Sequence, residues 1–377
     1  MKNSTLAVHA GTRHDPEFPG VNSPVYVSTS YPYLDTEERI YPRYFNTPNQ
    51  QVLAEKLNAL EGTDDALLLS SGMAAISTVI FGLLKKGDHV VFQPALYGGA
   101  YHFAAAELAN YGIDHSFSES ADAETMEKAL RPETRLIYIE TPSNPLLEIT
   151  DIKAIAEMAR RRGVLTAVDN TFASPVNQNP YRLGIDVVIH SATKYLGGHS
   201  DLAAGAIASS REIISRLRNM ALSLGGSLNA LDCYLLERSM KTLFVRVEKQ
   251  NESAMQIATF LEKQTQIRKV FYPGLPSHPK HHVAAAQMYG FGGMLSFELA
   301  RIDATAFQKK LKVIRPSMSL GGVESIVCSP AMTSHRHLSR EEQERSGING
   351  QVLRLSVGVE DPSDLIDDLR QAMESSR

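Results

Sequence analysis

The sequence predicts an α/β protein with a large, mostly parallel sheet and a second, smaller domain near the carboxyl terminus. Between residues 66 and 209, short apolar runs rich in β-branched residues alternate with helix-like segments, the pattern of βαβ units. Several of the runs are apolar throughout, as expected of strands that helices cover on both faces. The pattern restarts after a long helical stretch, which indicates another domain.

This alternating pattern predicts a large domain over 47–245. Its expected strands lie at 66–70, 90–93, 135–140, 164–169, 187–190 and 203–208, and its expected helices at 73–85, 100–110, 123–130 and 152–162. A helical stretch at 228–263 leads into the smaller α/β domain, predicted over 246–377 with strands at 270–272, 293–298 and 352–357.

The first 46 residues predict an extended N-terminal arm rather than a packed unit. Gly20, Pro24, Pro32 and Pro42 interrupt any regular pattern there, because glycine and proline are the strongest local breakers of helices and strands.

The composition of the 377 residues is that of an ordinary globular protein. The formal net charge of −4 gives no electrostatic reason to expect a nucleic-acid partner. No apolar run approaches the length of a membrane span. The two cysteines, Cys233 and Cys328, lie far apart and outside any CxxC, which fits a cytoplasmic location and predicts neither a disulfide framework nor a zinc site.

The segment 190–199 is the richest in chemistry. Lys194 is preceded by two hydroxyl residues, Ser191 and Thr193, and followed by the pair Gly197 and Gly198. The hydroxyls are placed to bind a phosphate while the lysine amine reaches an aldehyde of the same cofactor, as in lysines that carry pyridoxal 5′-phosphate (PLP) as a Schiff base.

Four further residues support this interpretation. Asp169 ends an apolar strand at the carboxyl edge of the sheet, where α/β proteins bind ligands, and PLP needs a carboxylate against its ring nitrogen. Gly72 and Met73 open a helix directly after a strand, which suits phosphate binding. Tyr97, followed by two glycines, offers a ring that can stack on the cofactor and a phenol for proton transfer.

Taken in order, these motifs resemble the Cys/Met-metabolism family of PLP enzymes. The resemblance extends over nearly the whole chain and rests on Tyr41-Pro-Arg43, Ser71-Gly72-Met73, Tyr97-Gly-Gly, Glu140-Thr-Pro-Ser-Asn144-Pro, Asp169-Asn-Thr-Phe, Ser191-Ala-Thr193-Lys194, Ser319-Leu-Gly-Gly and Arg354-Leu-Ser-Val-Gly.

The resemblance implies a fold-type I, aspartate-aminotransferase-like architecture in homotetramers built from dimers with shared active sites. Lys194 would be the Schiff-base lysine, Asp169 the ring-nitrogen partner and Tyr97 the stacking residue. Asn144 would lie near the phenolic oxygen of the cofactor. The phosphate would be held by Gly72, Met73, Ser191 and Thr193, with Tyr41 and Arg43 from the neighbouring subunit. Ser319 and Arg354 would bind the α-carboxylate of the substrate.

The resemblance implies a PLP-dependent carbon–sulfur lyase acting at Cβ or Cγ of cystathionine, methionine or cysteine-like substrates, with cystathionine γ-lyase activity as the leading expectation. The alternatives are γ-replacement on an O-acylhomoserine, transamination, and a non-catalytic role on the same fold. His102 and Ile40 replace an arginine and an acidic residue that often accompany cystathionine binding. Gly99 and Leu320 depart from the methionine γ-lyase and enteric β-lyase patterns.

Five histidines invite a metal hypothesis, which we do not favour because they lack acidic or cysteine neighbours at ligand spacing. They are His278, His281, His282, His335 and His337.

Overall fold

The fold is described by a computed structural model, which covers residues 1–336, 343 and 347–375. Its larger sheet is mixed and mostly parallel, in the order β1-β7-β6-β5-β4-β2-β3. Only β7 runs antiparallel to both of its neighbours. The strands are β1 (Asp65–Leu69), β2 (His89–Phe92), β3 (Asp114–Phe117), β4 (Thr134–Glu140), β5 (Leu165–Asp169), β6 (Val187–His190) and β7 (Gly205–Ser209).

The α/β architecture predicted from the sequence is confirmed, and β3 is an additional strand. Its sequence, DHSF, is short and largely polar, and it lies at the edge of the sheet. An edge strand buries less apolar surface than a central one, so it lacks the apolar run that identified the others.

Helices connect the strands and cover the sheet. They are α1 (Asn3–His9), α2 (Pro48–Glu61), α3 (Gly72–Leu83), α4 (Gly98–His102), α5 (Ala123–Lys128), α6 (Ile152–Arg162), α7 (Ser174–Asn177), α8 (Arg211–Leu224), α9 (Ala230–Met240), α10 (Leu243–Glu262), α11 (His281–Gln287), α12 (Ala304–Lys310) and α13 (Pro362–Glu374). The predicted helix at 100–110 corresponds to α4 and its continuation through a π turn and a 3₁₀ turn to Tyr111.

Both faces of the large sheet are buried. On one face, Ile189 packs with Val79 of α3 and Leu217 of α8. On the other, Val188 packs with Leu53 of α2 and Leu236 of α9. Adjacent residues of β6 therefore enter different cores, which explains why this strand is apolar at consecutive positions.

The predicted continuous helix at 228–263 is wrong, because the structure has two helices, α9 and α10. The chain leaves helical geometry at Thr242 (φ −103°, ψ 6°). The Thr242 hydroxyl donates to the Ser239 carbonyl (3.1 Å), and the Arg246 guanidinium donates to the same oxygen (2.9 Å). Side chains thus satisfy a carbonyl at the end of α9 without glycine or proline at the break.

A second sheet follows α10, in the order β10-β11-β12-β9-β8 and antiparallel except for β10 with β11. Its core joins Phe297 and Leu355 of the sheet to Ala258 of α10 and Leu369 of α13. The strands are β8 (Ile267–Phe271), β9 (Met294–Leu299), β10 (Arg315–Pro316), β11 (Ile326–Cys328) and β12 (Val352–Ser356). The predicted domain boundary at 245/246 falls within α10 and stays a prediction.

The N-terminal arm is only partly extended. Its first residues form α1, in which Ala7 is buried, and the Lys56 amine donates to the Ala7 carbonyl (2.9 Å). Residues 12–40 form neither helix nor strand. In the part of the chain that the structure describes, no helix is both long and apolar enough to cross a bilayer.

Candidate active site

A cavity of about 650 Å³ opens at the carboxyl edge of the parallel strands. Ten of the twelve site residues predicted from the sequence line it, and Tyr41 and Arg43 do not. The ten are Gly72, Met73, Tyr97, Asn144, Asp169, Ser191, Thr193, Lys194, Ser319 and Arg354.

Lys194 enters the cavity from the turn between β6 and β7. Its amine donates a hydrogen bond to the Ser319 hydroxyl (2.7 Å). Burial, and then the nearby Arg354 charge, lower the pKa of Lys194 to about 8. A lowered pKa increases the neutral fraction of the amine near neutral pH, which is the form that attacks a carbonyl.

The paired glycines after Lys194 have a packing role. Gly198 has a positive φ of 69°, and a Cβ there would lie 1.9 Å from the Arg246 guanidinium. Arg246 is buried and donates to the Tyr195 carbonyl (2.9 Å). The guanidinium of α10 thus anchors the turn that carries Lys194, a function that the sequence pattern did not reveal.

Two carboxyl groups meet at the sheet edge. Asp169 ends β5 and Glu140 ends β4, and they are paired in the register of these parallel strands. Asp169 accepts a hydrogen bond from the Thr171 amide (2.9 Å). Burial raises the pKa of both carboxyls, and the proximity of Asp169 raises that of Glu140 further. Because two neighbouring buried carboxyls resist ionising together, this pair is suited to a cationic partner.

Glu140 also fixes the start of the Tyr97 turn, a contact that the sequence analysis missed. Its carboxylate Oε2 accepts a hydrogen bond from the Tyr97 amide (2.8 Å). The Tyr97 ring then lies in the cavity wall. A Cβ at Gly99 would lie 2.6 Å from Cε1 of that ring and 3.2 Å from the Met73 sulfur, so glycine leaves the space that the ring occupies.

The first turn of α3 packs against Ser191 in the cavity wall. A Cβ at Gly72 would lie 2.8 Å from Ser191 Cβ. Only glycine at position 72 therefore allows the backbone to approach Ser191 this closely. Thr193 is differently engaged, because its hydroxyl donates to the Ala204 carbonyl (3.1 Å) and accepts from the Ala204 amide (3.0 Å). It must redirect its proton to donate to a phosphate.

Arg354 lies on β12 and is 5% exposed. Its Nη1 donates to Asn144 Oδ1 (2.7 Å), and its Nη2 donates to the Ser319 carbonyl (3.1 Å). These contacts hold the guanidinium in one orientation beside Lys194. Asn144 therefore touches the predicted carboxylate-binding arginine in addition to lining the cavity.

Tyr41 and Arg43 lie outside the cavity of their own chain. The Arg43 guanidinium donates to the Leu222 carbonyl (2.7 Å) and lies 5.6 Å from the centre of the Tyr44 ring. Tyr41 is 42% exposed.

Three of the five histidines face backbone carbonyls. His278 Nε2 faces the Leu147 carbonyl (3.2 Å), His281 Nδ1 the Pro273 carbonyl (2.8 Å), and His335 Nε2 the Leu96 carbonyl (3.2 Å). Within residues 1–336, 343 and 347–375, no group of three or more potential ligands is placed to hold a metal ion. His337 lies outside the described residues.

Comparison with known proteins identifies relatives over the full length. Residues 4–374 match the family model described as Cys/Met metabolism PLP-dependent enzyme. A cystathionine gamma-lyase of Bacillus subtilis is 41% identical, with all of both chains covered. A cystathionine beta-lyase of Lactococcus lactis subsp. cremoris is 40% identical, with 98% of each covered. A chloroplastic cystathionine gamma-synthase of Nicotiana tabacum is 39% identical over 99% of this chain and 72% of its own.

Solved structures agree with these relatives. The fold superimposes with a TM-score of 0.96 on cystathionine gamma-lyase from Lactobacillus plantarum, a structure that contains L-serine. That protein is 36% identical, and the match covers 100% of this chain and 99% of the other.

Proposed function

The chain belongs to the Cys/Met metabolism PLP-dependent enzyme family, and we propose that within it the protein is a carbon–sulfur lyase of sulfur amino-acid metabolism. The leading substrate is cystathionine, cleaved on the Cγ side. The observation that carries the proposal is the half-buried Lys194 amine, which shares one cavity with the Asp169 carboxyl and the Arg354 guanidinium.

The cavity residues fit PLP. Gly72 lies close to Ser191, so the first backbone amides of the 12-residue helix α3 lie beside that serine. Amides at the start of a helix form a suitable site for a phosphate. Asp169, beside a second buried carboxyl, would gain a favourable partner in a protonated ring nitrogen. Lys194 would hold the cofactor covalently. When bound, PLP supplies an electron sink for negative charge that develops at the substrate Cα.

Arg354 would bind the substrate carboxylate. Its fork is already oriented by Asn144 and by the Ser319 carbonyl, so little side-chain entropy is lost on binding. The bound carboxylate would orient the substrate Cα toward Lys194.

Lys194 would then move the proton. With PLP and substrate bound, the Lys194 amine would be placed to accept the Cα proton and deliver it elsewhere. A pKa of about 8 suits this exchange near neutral pH, because a general base works best when its pKa is close to the working pH. Tyr97, in the cavity wall, would assist the departure of the sulfur group.

The second part of the proposal is a homotetramer with shared active sites. The N-terminal arm exposes large apolar side chains, since Phe18, Val21, Tyr33 and Leu34 are each at least 67% exposed. Such a concentration of apolar surface is typical of a protein–protein contact. Covering it with a neighbouring subunit would allow Tyr41 and Arg43, which lie outside their own cavity, to reach the phosphate site of the neighbour. The cytoplasmic location stays a prediction.

The second candidate function is γ-replacement on an O-acylhomoserine, supported by the similarity to a cystathionine gamma-synthase. The same residues would bind and deprotonate the substrate, and an incoming thiol would replace the leaving group.

The test is an assay panel on the purified protein. Cystathionine, methionine and cysteine are supplied singly, and O-acetylhomoserine is supplied with and without cysteine, while 2-oxo acid, thiol and thioether are measured. The proposal expects oxo acid and thiol from cystathionine. Thioether formation from O-acetylhomoserine and cysteine, with no release of oxo acid from cystathionine, would instead establish the transferase.

A further inference from the structure

Glu61, the last residue of α2, is fully buried and lies outside the cavity. Its Oε1 lies 2.6 Å from His190 Nε2 and accepts a hydrogen bond from Asn170 Nδ2 (3.3 Å). Asn170 directly follows Asp169, and His190 directly precedes Ser191. We propose that Glu61 is a positioning residue that holds the ends of β5 and β6 together and thereby places the Asp169 carboxyl for the ring nitrogen of PLP. This inference rests on the proposed function, in which Asp169 meets that nitrogen.

Glu61 reaches the sheet from the face opposite to the cavity. Val188 of β6 packs toward α2, and side chains alternate along a strand, so His190 faces α2 as well. Ile189 faces α3 and is the register partner of Asp169, which lines the cavity. The contact of Glu61 with His190 therefore lies behind the strand ends whose other face carries Asp169.

Thr171 joins the same two strand ends on the cavity side. The Ser191 amide donates to the Thr171 hydroxyl (2.8 Å), and the Thr171 amide donates to the Asp169 carboxyl (2.9 Å). Burial raises the pKa of Asp169, whereas hydrogen bonds from Thr171 and a positive charge on His190 lower it. A displacement of His190 would therefore reach Asp169 in two ways, through the adjoining Ser191 amide and through the change in charge.

The position of Glu61 is unfavourable for a carboxylate in two respects. It ends α2 directly before the Gly62 cap, where the helix dipole disfavours negative charge. A buried charge also costs free energy unless it is well paired. The short contact with His190 and the bond from Asn170 offset these costs, and a longer contact joins Oε2 to Asn179 Nδ2 (3.4 Å). Two of these three partners flank residues of the proposed cofactor site, as expected of a residue that positions it.

The experiment is a double-mutant cycle that measures the dissociation constant of PLP from the apoenzyme. It compares the wild type, Glu61→Ala, Asp169→Asn and the double variant, because residues that act through one another give non-additive effects. The NMR chemical shift of the isotopically labelled ring nitrogen of bound PLP is recorded as well, since it reports whether that nitrogen is protonated. Glu61→Gln keeps an acceptor oxygen and tests for rescue.

Asp368→Asn is the matched control. Asp368 is another buried carboxyl, and it accepts hydrogen bonds from the Val313 and Ile314 amides (both 2.9 Å) in the second domain. The melting temperature of every apoenzyme is measured. Asp368→Asn should leave the PLP dissociation constant and the ring-nitrogen shift unchanged, whatever its melting temperature.

We expect Glu61→Ala to weaken PLP binding about tenfold or more, as for the loss of a charged hydrogen bond. In the Asp169→Asn background the same change should cost less than about threefold, because the carboxylate that Glu61 positions is gone. The ring-nitrogen shift of Glu61→Ala should move toward that of Asp169→Asn, and Glu61→Gln should recover part of both effects. Equal losses in the two backgrounds, or an unchanged shift, would overturn the inference.

Removal of one partner of a buried pair can prevent folding. If Glu61→Ala is not obtained folded, Glu61→Gln takes its place in the cycle, with an expected loss of at least about threefold that is absent from the Asp169→Asn background. No loss would overturn the inference.

Failure of the lyase proposal is distinguishable from failure of this inference, because neither readout requires turnover. A wild type that releases no oxo acid from cystathionine, but gives the expected cycle, overturns the lyase proposal alone. If Asp169→Asn leaves the ring-nitrogen shift unchanged, the role of Asp169 falls and the positioning role of Glu61 falls with it.

Discussion

Replacing Glu140 with alanine is expected to slow catalysis by releasing Tyr97 from its position. Glu140 is 5% exposed, and its carboxylate is the acceptor for the Tyr97 amide at 2.8 Å. The alanine variant keeps the strand and Asp169 but leaves that amide without its acceptor. Either the turn that carries the Tyr97 ring moves, or the Tyr97 amide remains without a hydrogen-bond acceptor.

The magnitude follows from that single contact. The contact is part-buried, so the loss of its acceptor costs at most about 1–3 kcal/mol, the range for a buried amide. If this cost is relieved by displacement of the Tyr97 turn, kcat falls by up to roughly 150-fold. Glutamine keeps an oxygen acceptor and the shape of the side chain. Because the pKa of Glu140 is raised by burial and by Asp169, glutamine also resembles the protonated carboxyl, so Glu140→Gln should lose less than about fivefold.

The assay is steady-state turnover of cystathionine by the wild type, Glu140→Ala and Glu140→Gln, with PLP content and melting temperature measured on each. A Glu140→Ala variant that retains PLP and turns over at the wild-type rate would refute the positioning role. Equal losses in the two variants would show that the charge of Glu140, rather than its acceptor, is what matters.

Three other predictions concern different parts of the site. Mixed oligomers of Arg43→Ala and Lys194→Ala subunits should regain activity above either parent, because one native site can form from two mutant chains; no gain after confirmed subunit exchange would contradict shared sites. The rate at which apoenzyme recovers PLP should rise with pH to a midpoint near 8, because the pKa of the Lys194 amine is lowered to about 8 and only the neutral amine reacts; a rise that continues toward pH 10 would disagree. His102→Arg should lower the KM for cystathionine and leave that for methionine little changed, since it adds a permanent cation to the cavity wall; equal effects on both substrates would remove His102 from specificity.

Much of the larger sheet could be predicted because its central strands are buried on both faces. The predicted helix at 152–162 coincides with α6, whose boundaries are marked by the Asp151 cap and Gly163. The break between α9 and α10 could not be predicted, because it depends on side-chain hydrogen bonds from Thr242 and Arg246 to the Ser239 carbonyl rather than on a glycine or a proline.

The cavity residues could be predicted where function requires a distinctive local pattern. Asp169 ends β5 and Lys194 follows β6, and these parallel strands end at the same edge of the sheet. The predicted strand order was therefore enough to predict that the two side chains lie close together. Glu140 shows the same sequence pattern, an acidic residue at the end of an apolar strand, and it pairs with Asp169 in the register of β4 and β5. Its hydrogen bond with the Tyr97 amide could not be predicted, because it depends on tertiary contact. Arg336, which also lines the cavity, was not predicted, because its position depends on the packing of Ser334 on Gly98, residues far apart in the sequence.

The most direct test of the account is the location of the lysine that carries PLP. The holoenzyme is reduced with borohydride and digested, and the pyridoxyl-modified peptide is sequenced by mass spectrometry. Lys56 is an internal control, because burial also lowers its pKa to about 8, whereas its amine donates to the Ala7 carbonyl outside the cavity. We expect modification at Lys194 alone. Modification at Lys56 or at any other lysine, with Lys194 unmodified, would contradict it.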